Sequence, residues 1–100
     1  MAIVKLELND HGSHSFSIFD EDGKAGEMIF DLKDHTITVY HTEIFASKEG
    51  HGYAQMLLEA LVDYARSQSF KIIPLCVYVH QKFVDNPKKF QDVWDRTSPE

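Results

Sequence analysis

Residues 50–79 carry the pattern that decides the fold, and they read GHGYAQMLLEALVDYARSQSFKIIPLCVYV. Two glycines open the stretch, apolar residues then recur at helical spacing over residues 53–64, and a nearly unbroken apolar run covers residues 70–79. The helical spacing is typical of an amphipathic helix with a wide apolar side, and the unbroken run is typical of a strand covered on both faces. We therefore expect a glycine loop, a long helix that lies deep against a sheet, and a buried strand.

The chain before the glycine loop shows the two-residue alternation of strands. Turn-forming clusters separate the alternating segments, and Asp22-Gly23 supplies the positive φ that a tight hairpin needs. We expect four short strands over residues 3–8, 14–19, 26–32 and 36–42. Because short turns join consecutive strands antiparallel, these four form a meander.

The strand, glycine loop, helix and strand together make a βαβ unit, whose two strands must be parallel. The predicted fold class is therefore α+β, with a mixed sheet in which an antiparallel N-terminal meander leads into one parallel βαβ unit. Pro74 interrupts the second parallel strand and indicates an edge, a bulge or the end of that strand. Two short helices are expected after it, over residues 80–84 and 88–94.

Length and composition point to an ordinary globular domain. One hundred residues, 43% of them hydrophobic and 26% charged, suit one domain, which we place at residues 1–96 with a frayed tail at 97–100. No apolar run is long enough for a bilayer span, and the N-terminus lacks the form of a signal peptide, so no membrane partner is expected. Cys76 is the only cysteine, which excludes an internal disulfide and suits a reducing cytoplasm.

The net charge of −6 is unevenly placed along the chain. Residues 1–46 carry nine acids and three bases, whereas residues 47–100 carry seven of each. Without a basic patch, binding of nucleic acid is disfavoured. The C-terminal half is the better host for an anionic small molecule, and the acidic half suits a cationic acceptor or simply maintains solubility.

The loop between the fourth strand and the long helix has the chemistry of an anion site. Gly50 and Gly52 let a ligand approach the backbone closely, and the helix behind them offers unpaired N–H groups at its positive end. The loop lacks the lysine of a P-loop and the third glycine of a dinucleotide fingerprint. Pyrophosphate binding and a merely tight strand-to-helix turn both remain open from the spacing alone.

Several motifs in order resemble one family. The four strands, the G-x-G-x-A turn and the parallel strand resemble the GNAT superfamily of acetyl-CoA-dependent N-acetyltransferases, and more narrowly its minimal YjdJ-type branch. The resemblance runs from about Ile3 to Trp94. The motifs that carry it are His41-Thr42-Glu43-Ile44, Gly50-His51-Gly52-Tyr53-Ala54, the apolar run over residues 73–79 with its Cys-x-Tyr, and Asn86-Pro87.

The resemblance implies acetyl-CoA as cosubstrate, bound between the two parallel strands. The pyrophosphate would then be held by backbone N–H groups of Gly50, His51, Gly52, Tyr53 and Ala54, and the pantetheine arm would lie along Glu43, Ile44 and Phe45. The family usually has Gln or Arg where this sequence has Ser47, and Glu49 adds an acid beside the first glycine. Lys48 is the residue that could compensate for the missing cation.

The resemblance also suggests which residues carry the chemistry. His41, at the end of the fourth strand, is the candidate base, and Glu43 is the alternative base. If His41 is not a base, it is an ordinary histidine at the end of a strand. Cys76 either accepts the acetyl group or only lines the thioester pocket, and we favour the second. Tyr78 either protonates the departing CoA thiolate or packs at the rim. The remaining histidines are dispersed, so no metal site is expected.

We therefore expect an N-acetyltransferase that moves acetyl to an unidentified amine acceptor by direct attack of the amine. The alternative is a non-catalytic module that binds CoA or an acyl thioester, because little of this short chain remains to shape an acceptor pocket. A third interpretation is an interaction domain without a cofactor. The expected protein is cytoplasmic and a monomer or weak dimer.

Overall fold

The computed structural model describes residues 1–10 and 13–96. Its sheet has five strands in chain order, with the first three neighbouring pairs antiparallel and the last pair parallel. The predicted α+β fold with a mixed sheet is confirmed. In chain order, the elements are β1 (Ile3–Glu7), β2 (His14–Asp20), β3 (Gly23–Lys33), β4 (Thr36–Ile44), a 3₁₀ turn (Ala46–Lys48), α1 (Tyr53–Gln68), β5 (Lys71–Pro74), α2 (Val77–Asp85) and α3 (Pro87–Phe90).

One face of the sheet is buried under the helices. Facing residues on paired strands share a face, and on this face most of the cross-strand partners are apolar, as in the row of Phe16, Met28 and Thr42. The buried side chains of all three helices join the same cluster, so the helices lie on this face. The largest fully buried members are Phe30, Phe83, Ile18, Met28, Ile37, Leu57, Leu58, Leu61 and Ile72. Burying each contributes roughly 1.5–3 kcal/mol, which makes this cluster the main source of stability.

The other face of the sheet carries the alternate residues of each strand. Ser17, Glu27 and Glu43 make one row of cross-strand partners, and Ser15, Ile29 and His41 make the next. None of the described helices packs there, because their buried side chains all belong to the cluster on the first face. We call this second side the open face. His41 and Glu43 therefore lie on the open face, whereas Thr42 between them lies on the helix side.

The second parallel strand is much shorter than predicted. The apolar run over residues 70–79 was expected to be one strand, but β5 ends at Pro74 and α2 begins at Val77. The Cys76 N–H donates to the Val39 carbonyl at 2.8 Å, and the Cys76 carbonyl then accepts the first helical bond from His80 at 2.9 Å. Proline has no N–H to continue a strand ladder, so the chain turns into a helix there.

The end of the chain also differs from the prediction. The predicted helix over residues 80–84 starts earlier, as α2, and the one expected over residues 88–94 is only α3. The next residues run beside β5 instead: the Ile72 N–H donates to the Val93 carbonyl at 2.6 Å, and the Asp95 N–H donates to the Ile72 carbonyl at 2.9 Å. These residues border β5 on its outer edge. The strand is not covered on both faces as predicted, because its burial alternates, with Ile72 and Pro74 buried and Lys71 exposed.

Some predictions fall outside what the structure describes. The turn-forming cluster expected between the first two strands includes residues 11 and 12, and the expected frayed tail is residues 97–100; these lie outside the described residues. The single domain over residues 1–96 stays a prediction. Within the described part of the chain, no helix combines the length and apolar character needed to cross a membrane.

Candidate functional site

The parallel strands part at a bulge in β4. The two strands pair from Thr36 opposite Lys71 to Val39 opposite Pro74. Beyond Val39, β4 continues to Ile44 beside β3 but without β5. At the same point β4 carries an extra residue, because Val39 faces Phe30 and His41 faces Ile29, which leaves Tyr40 without a partner on β3. Bulges of this kind bend a strand away from its neighbour and are common beside active sites. The result is a wedge-shaped gap between residues 40–44 and the start of α2.

Two grooves open along this gap. The first, of about 440 Å³, lies at the bulge and is lined by Tyr40, His41, Thr42, Leu75, Cys76, Val77 and Tyr78. The second, of about 420 Å³, lies at the glycine turn and is lined by Ile44, Lys48, Glu49, Gly50, Gly52, Tyr53, Ala54, Gln55, Tyr78 and Lys82. Tyr78 lines both grooves, so the two grooves adjoin at this side chain.

The glycine turn presents free N–H groups to the second groove. Gly50 and Gly52 adopt φ of 89° and 78°, in the left-handed region that favours glycine, and a Cβ built on either would meet nothing within 4 Å. Gly52 is the N-cap of α1, and the first helical bond runs from the Met56 N–H to its carbonyl. The N–H groups of residues 53–55 therefore have no acceptor within the helix. Such an end attracts an anion.

Lys48 lies at this turn, but its charge is already balanced. Its ammonium contacts Asp20 Oδ2 at 2.9 Å and Asp22 Oδ2 at 2.7 Å. The hydrogen bond from Lys48 lowers the pKa of Asp20 to about 2, and the two carboxylates raise the pKa of Lys48. Tyr53 also donates its hydroxyl to Asp20 Oδ2, at 3.0 Å. Nothing in the local sequence signals this contact with the β2–β3 hairpin.

Cys76 occupies a different place from the one predicted. It is the N-cap of α2 rather than the end of the parallel strand, and it is 4% exposed. Its Sγ lies 3.2 Å from Thr42 Oγ1, so the thiol and the hydroxyl share a hydrogen bond across the gap. Thr42 is a site residue that the sequence analysis missed. Strand alternation alone could have placed it on the helix side, but not opposite the thiol.

Tyr78 is the half-buried side chain at the middle of the site. Burial raises the pKa of its phenol, and the nearby Cys76 and Glu59 raise it further. Among the described residues its hydroxyl has no hydrogen-bond partner, and the Lys82 ammonium lies 5.6 Å from the centre of its ring. A phenol that stays protonated and unpaired at neutral pH is suited to donate a proton to a ligand.

His41 and Glu43 are exposed, and they lie on the open face of β4. His41 lines the first groove together with Cys76 and Tyr78. The first groove is therefore bordered by His41 from the open face of β4 and by Thr42 and Cys76 from the helix side. Glu43 lines neither groove.

The remaining predicted residues surround the turn. Ile44 is half-buried and lines the second groove, whereas Phe45 is 38% exposed and its N–H already donates to the Ala25 carbonyl at 2.9 Å. His51 is exposed, and its ring stacks on that of Tyr53 with centroids 5.3 Å apart. No group of three or more His, Cys, Asp or Glu residues that could hold a metal is found within the described ranges.

Comparison with known proteins gives a consistent result. The family profile of the GCN5-related N-acetyltransferases matches residues 15–93. A GCN5-like protein from Staphylococcus aureus is 25% identical over 91% of this chain and 87% of its own, with a TM-score of 0.63. A ribosomal-protein-alanine N-acetyltransferase from Brucella melitensis shares the fold at 19% identity, over 91% of this chain and 67% of its own, also with a TM-score of 0.63. No curated protein sequence matches.

Proposed function

Because the chain belongs to the GCN5-related N-acetyltransferase family, we propose that it transfers the acetyl group of acetyl-CoA to an amine by direct attack. The observation that carries the proposal is the gap that opens where β4 and β5 part, beside a helix N-terminus whose first three N–H groups have no acceptor within the helix. The narrower YjdJ-type assignment stays a prediction. So do the cytoplasmic location, the monomeric or weakly dimeric state and the absence of nucleic-acid and membrane partners.

The second groove fits the phosphates of the donor. Gly50 and Gly52 place no side chain on their part of its wall, and the first turn of α1 supplies N–H donors that have no acceptor within the helix. Glu49 lines the same groove and opposes an anion, so we expect a modest affinity. In the proposal, the main chain of Gly50, His51, Gly52, Tyr53 and Ala54 holds the pyrophosphate, and Glu43, Ile44 and Phe45 border the pantetheine arm.

The first groove fits the reacting end of the donor, whose thioester carbonyl is the group that an amine attacks. His41 takes the proton from the incoming amine, since histidine is the side chain best suited to proton uptake near neutrality. Its place on the open face means that the acceptor approaches from that side of β4. Glu43 is the alternative base, although it lines neither groove.

Tyr78 gives a proton to the departing sulfur of CoA. Its position in both grooves places it between the phosphate end and the thioester end, and its raised pKa keeps it protonated. Cys76 serves as part of the wall, because its sulfur is buried and already bonded to Thr42. Direct attack needs no enzyme nucleophile, which agrees with this role.

The test is an acetyl-transfer assay with the purified chain. Acetyl-CoA is incubated with a panel of primary amines, and free thiol and acetylated amine are both followed against a buffer control. Amine-dependent thiol release supports the proposal. Tight CoA binding without release would favour the non-catalytic module, and no CoA-dependent shift in thermal midpoint would exclude both. Intact mass after the incubation reports any acetyl adduct on Cys76.

A further inference from the structure

Asp20, at the end of β2, is bonded by three donors from three different segments. Its carboxylate forms an ion pair with the Lys48 ammonium at 2.9 Å and accepts hydrogen bonds from the Tyr53 hydroxyl at 3.0 Å and from the Asp22 N–H at 2.9 Å. Its side chain is 7% exposed, so this carboxylate is largely withdrawn from water. Charge-assisted bonds to a carboxylate in such a place are stronger than neutral ones. The contacts of Asp20 with Lys48 and Tyr53 thus hold the end of the β2–β3 hairpin against the glycine turn and the start of α1.

The two long-range bonds hold the glycine turn at both of its ends. Lys48 precedes Gly50 by two residues, and Tyr53 directly follows Gly52. Between these anchors the glycines contact nothing on their Cβ side, so the turn has little packing of its own. Glycine also loses the most backbone freedom when it is fixed. Anchoring the flanks therefore lowers the entropy cost of aligning the N–H groups with a ligand.

We propose that Asp20 is a positioning residue for binding of the donor's pyrophosphate, and that it acts through Lys48 and Tyr53 without touching the donor. This inference rests on the proposed function, since it assigns a role within the same site. It predicts that Asp20 matters for the phosphate end of the donor and not for the thioester end. The sequence motif of the glycine turn does not include Asp20, so the motif alone does not indicate this role.

The hairpin also provides a matched control. Asp22 contacts the same ammonium at 2.7 Å, but its side chain is 79% exposed. An exposed ion pair contributes little, because water and salt screen it and two side chains must be ordered. Asp20 and Asp22 are both aspartates of the same hairpin, and both contact Lys48. They differ because only Asp20 is buried and accepts a hydrogen bond from Tyr53.

The experiment compares two acetyl donors, acetyl-CoA and acetyl-pantetheine, which lacks the nucleotide and its phosphates. Asp20→Asn keeps the shape of the side chain and removes its charge. We expect kcat/KM for acetyl-CoA to fall about tenfold, and kcat/KM for acetyl-pantetheine to stay within about twofold. Asp22→Asn should change neither value by more than about twofold.

Equal losses with both donors, or no loss with acetyl-CoA, would overturn the inference. If Asp20→Asn does not fold, Tyr53→Phe decides, because it removes one of the two anchoring bonds and should lower kcat/KM for acetyl-CoA about threefold. An unchanged value there would count against the role. If the unmodified chain binds CoA but shows no turnover, the proposed function fails, and the comparison of dissociation constants for CoA between Asp20→Asn and the unmodified chain still tests Asp20.

Discussion

Removal of one oxygen from Tyr78 tests the proposed chemistry with little disturbance of the fold. Tyr78→Phe keeps the ring in its half-buried place and deletes a hydroxyl that bonds to no described residue. Because no hydrogen bond is lost, the free energy of unfolding should change by less than about 0.5 kcal/mol. Affinity for CoA should stay within about twofold, since the hydroxyl acts on the sulfur after the amine has attacked.

The kcat of Tyr78→Phe should change much more than its stability or its affinity for CoA. A positioned proton donor contributes roughly 10²–10⁴-fold, and we expect the low end, about a hundredfold in kcat, because a thiolate is already a good leaving group. The pH dependence has a definite sign. Burial raises the pKa of Tyr78 above its ordinary value of 10, so the phenol keeps its proton through neutral pH and an alkaline fall in rate occurs only above that value.

The assay is steady-state thiol release with saturating amine, together with a calorimetric CoA titration and a thermal melt of each variant. Tyr40→Phe is the control, because Tyr40 lines the same first groove and is 47% exposed. We expect it to retain kcat within about twofold. A Tyr78→Phe variant with full kcat would refute the proton-donor role, and an equal loss in Tyr40→Phe would show that the groove's packing is what matters.

Four further predictions concern other parts of the site. Gly52→Val should abolish CoA binding in a calorimetric titration, because valine fits the left-handed backbone at this position poorly and its side chain enters space that is now clear; a folded variant with unchanged affinity would refute the placement. His41→Ala should lower kcat more than CoA affinity, because a base acts on the amine and not on the cofactor; full activity would exclude His41 as the base. Cys76→Ser should keep most activity, since serine can still bond to Thr42, and near-complete loss would instead indicate an acyl-cysteine route. The urea concentration at the unfolding midpoint should fall as the pH drops from about 4 towards 2, because Asp20, whose pKa is lowered to about 2 in the folded chain, gains a proton over this range. In Asp20→Asn the midpoint should depend less on pH.

The sequence was informative wherever a pattern is local. Two-residue alternation located all four meander strands to within a few residues, and helical spacing together with Gly52 located the start of α1. Both patterns follow from burial of one face of a regular element, so they can be read without knowing the neighbours. The positive φ of Gly50 and Gly52 likewise agrees with the turn expected there.

Prediction failed where the outcome depended on contacts distant in sequence. The apolar residues after Pro74 fit a strand or a helix equally well, and a short apolar run cannot distinguish the two. The hydrogen bond from Cys76 to Val39, made possible by β4, starts a helix there. The bulge at Tyr40 and the contact between Asp20 and Lys48 are also long-range, so the geometry of the site could not be read from the chain.

The parallel pairing of β4 with β5 has a consequence for the order in which the molecule assembles. The antiparallel hairpins close over short turns, whereas the whole of α1 lies between Thr36 and its partner Lys71. Closing so long a loop costs more entropy than closing a hairpin. The gap lies directly beyond this pairing, so we expect the site to form late in folding. We expect the amides of β5 and residues 93–95 to exchange with solvent faster than those of β2 and β3.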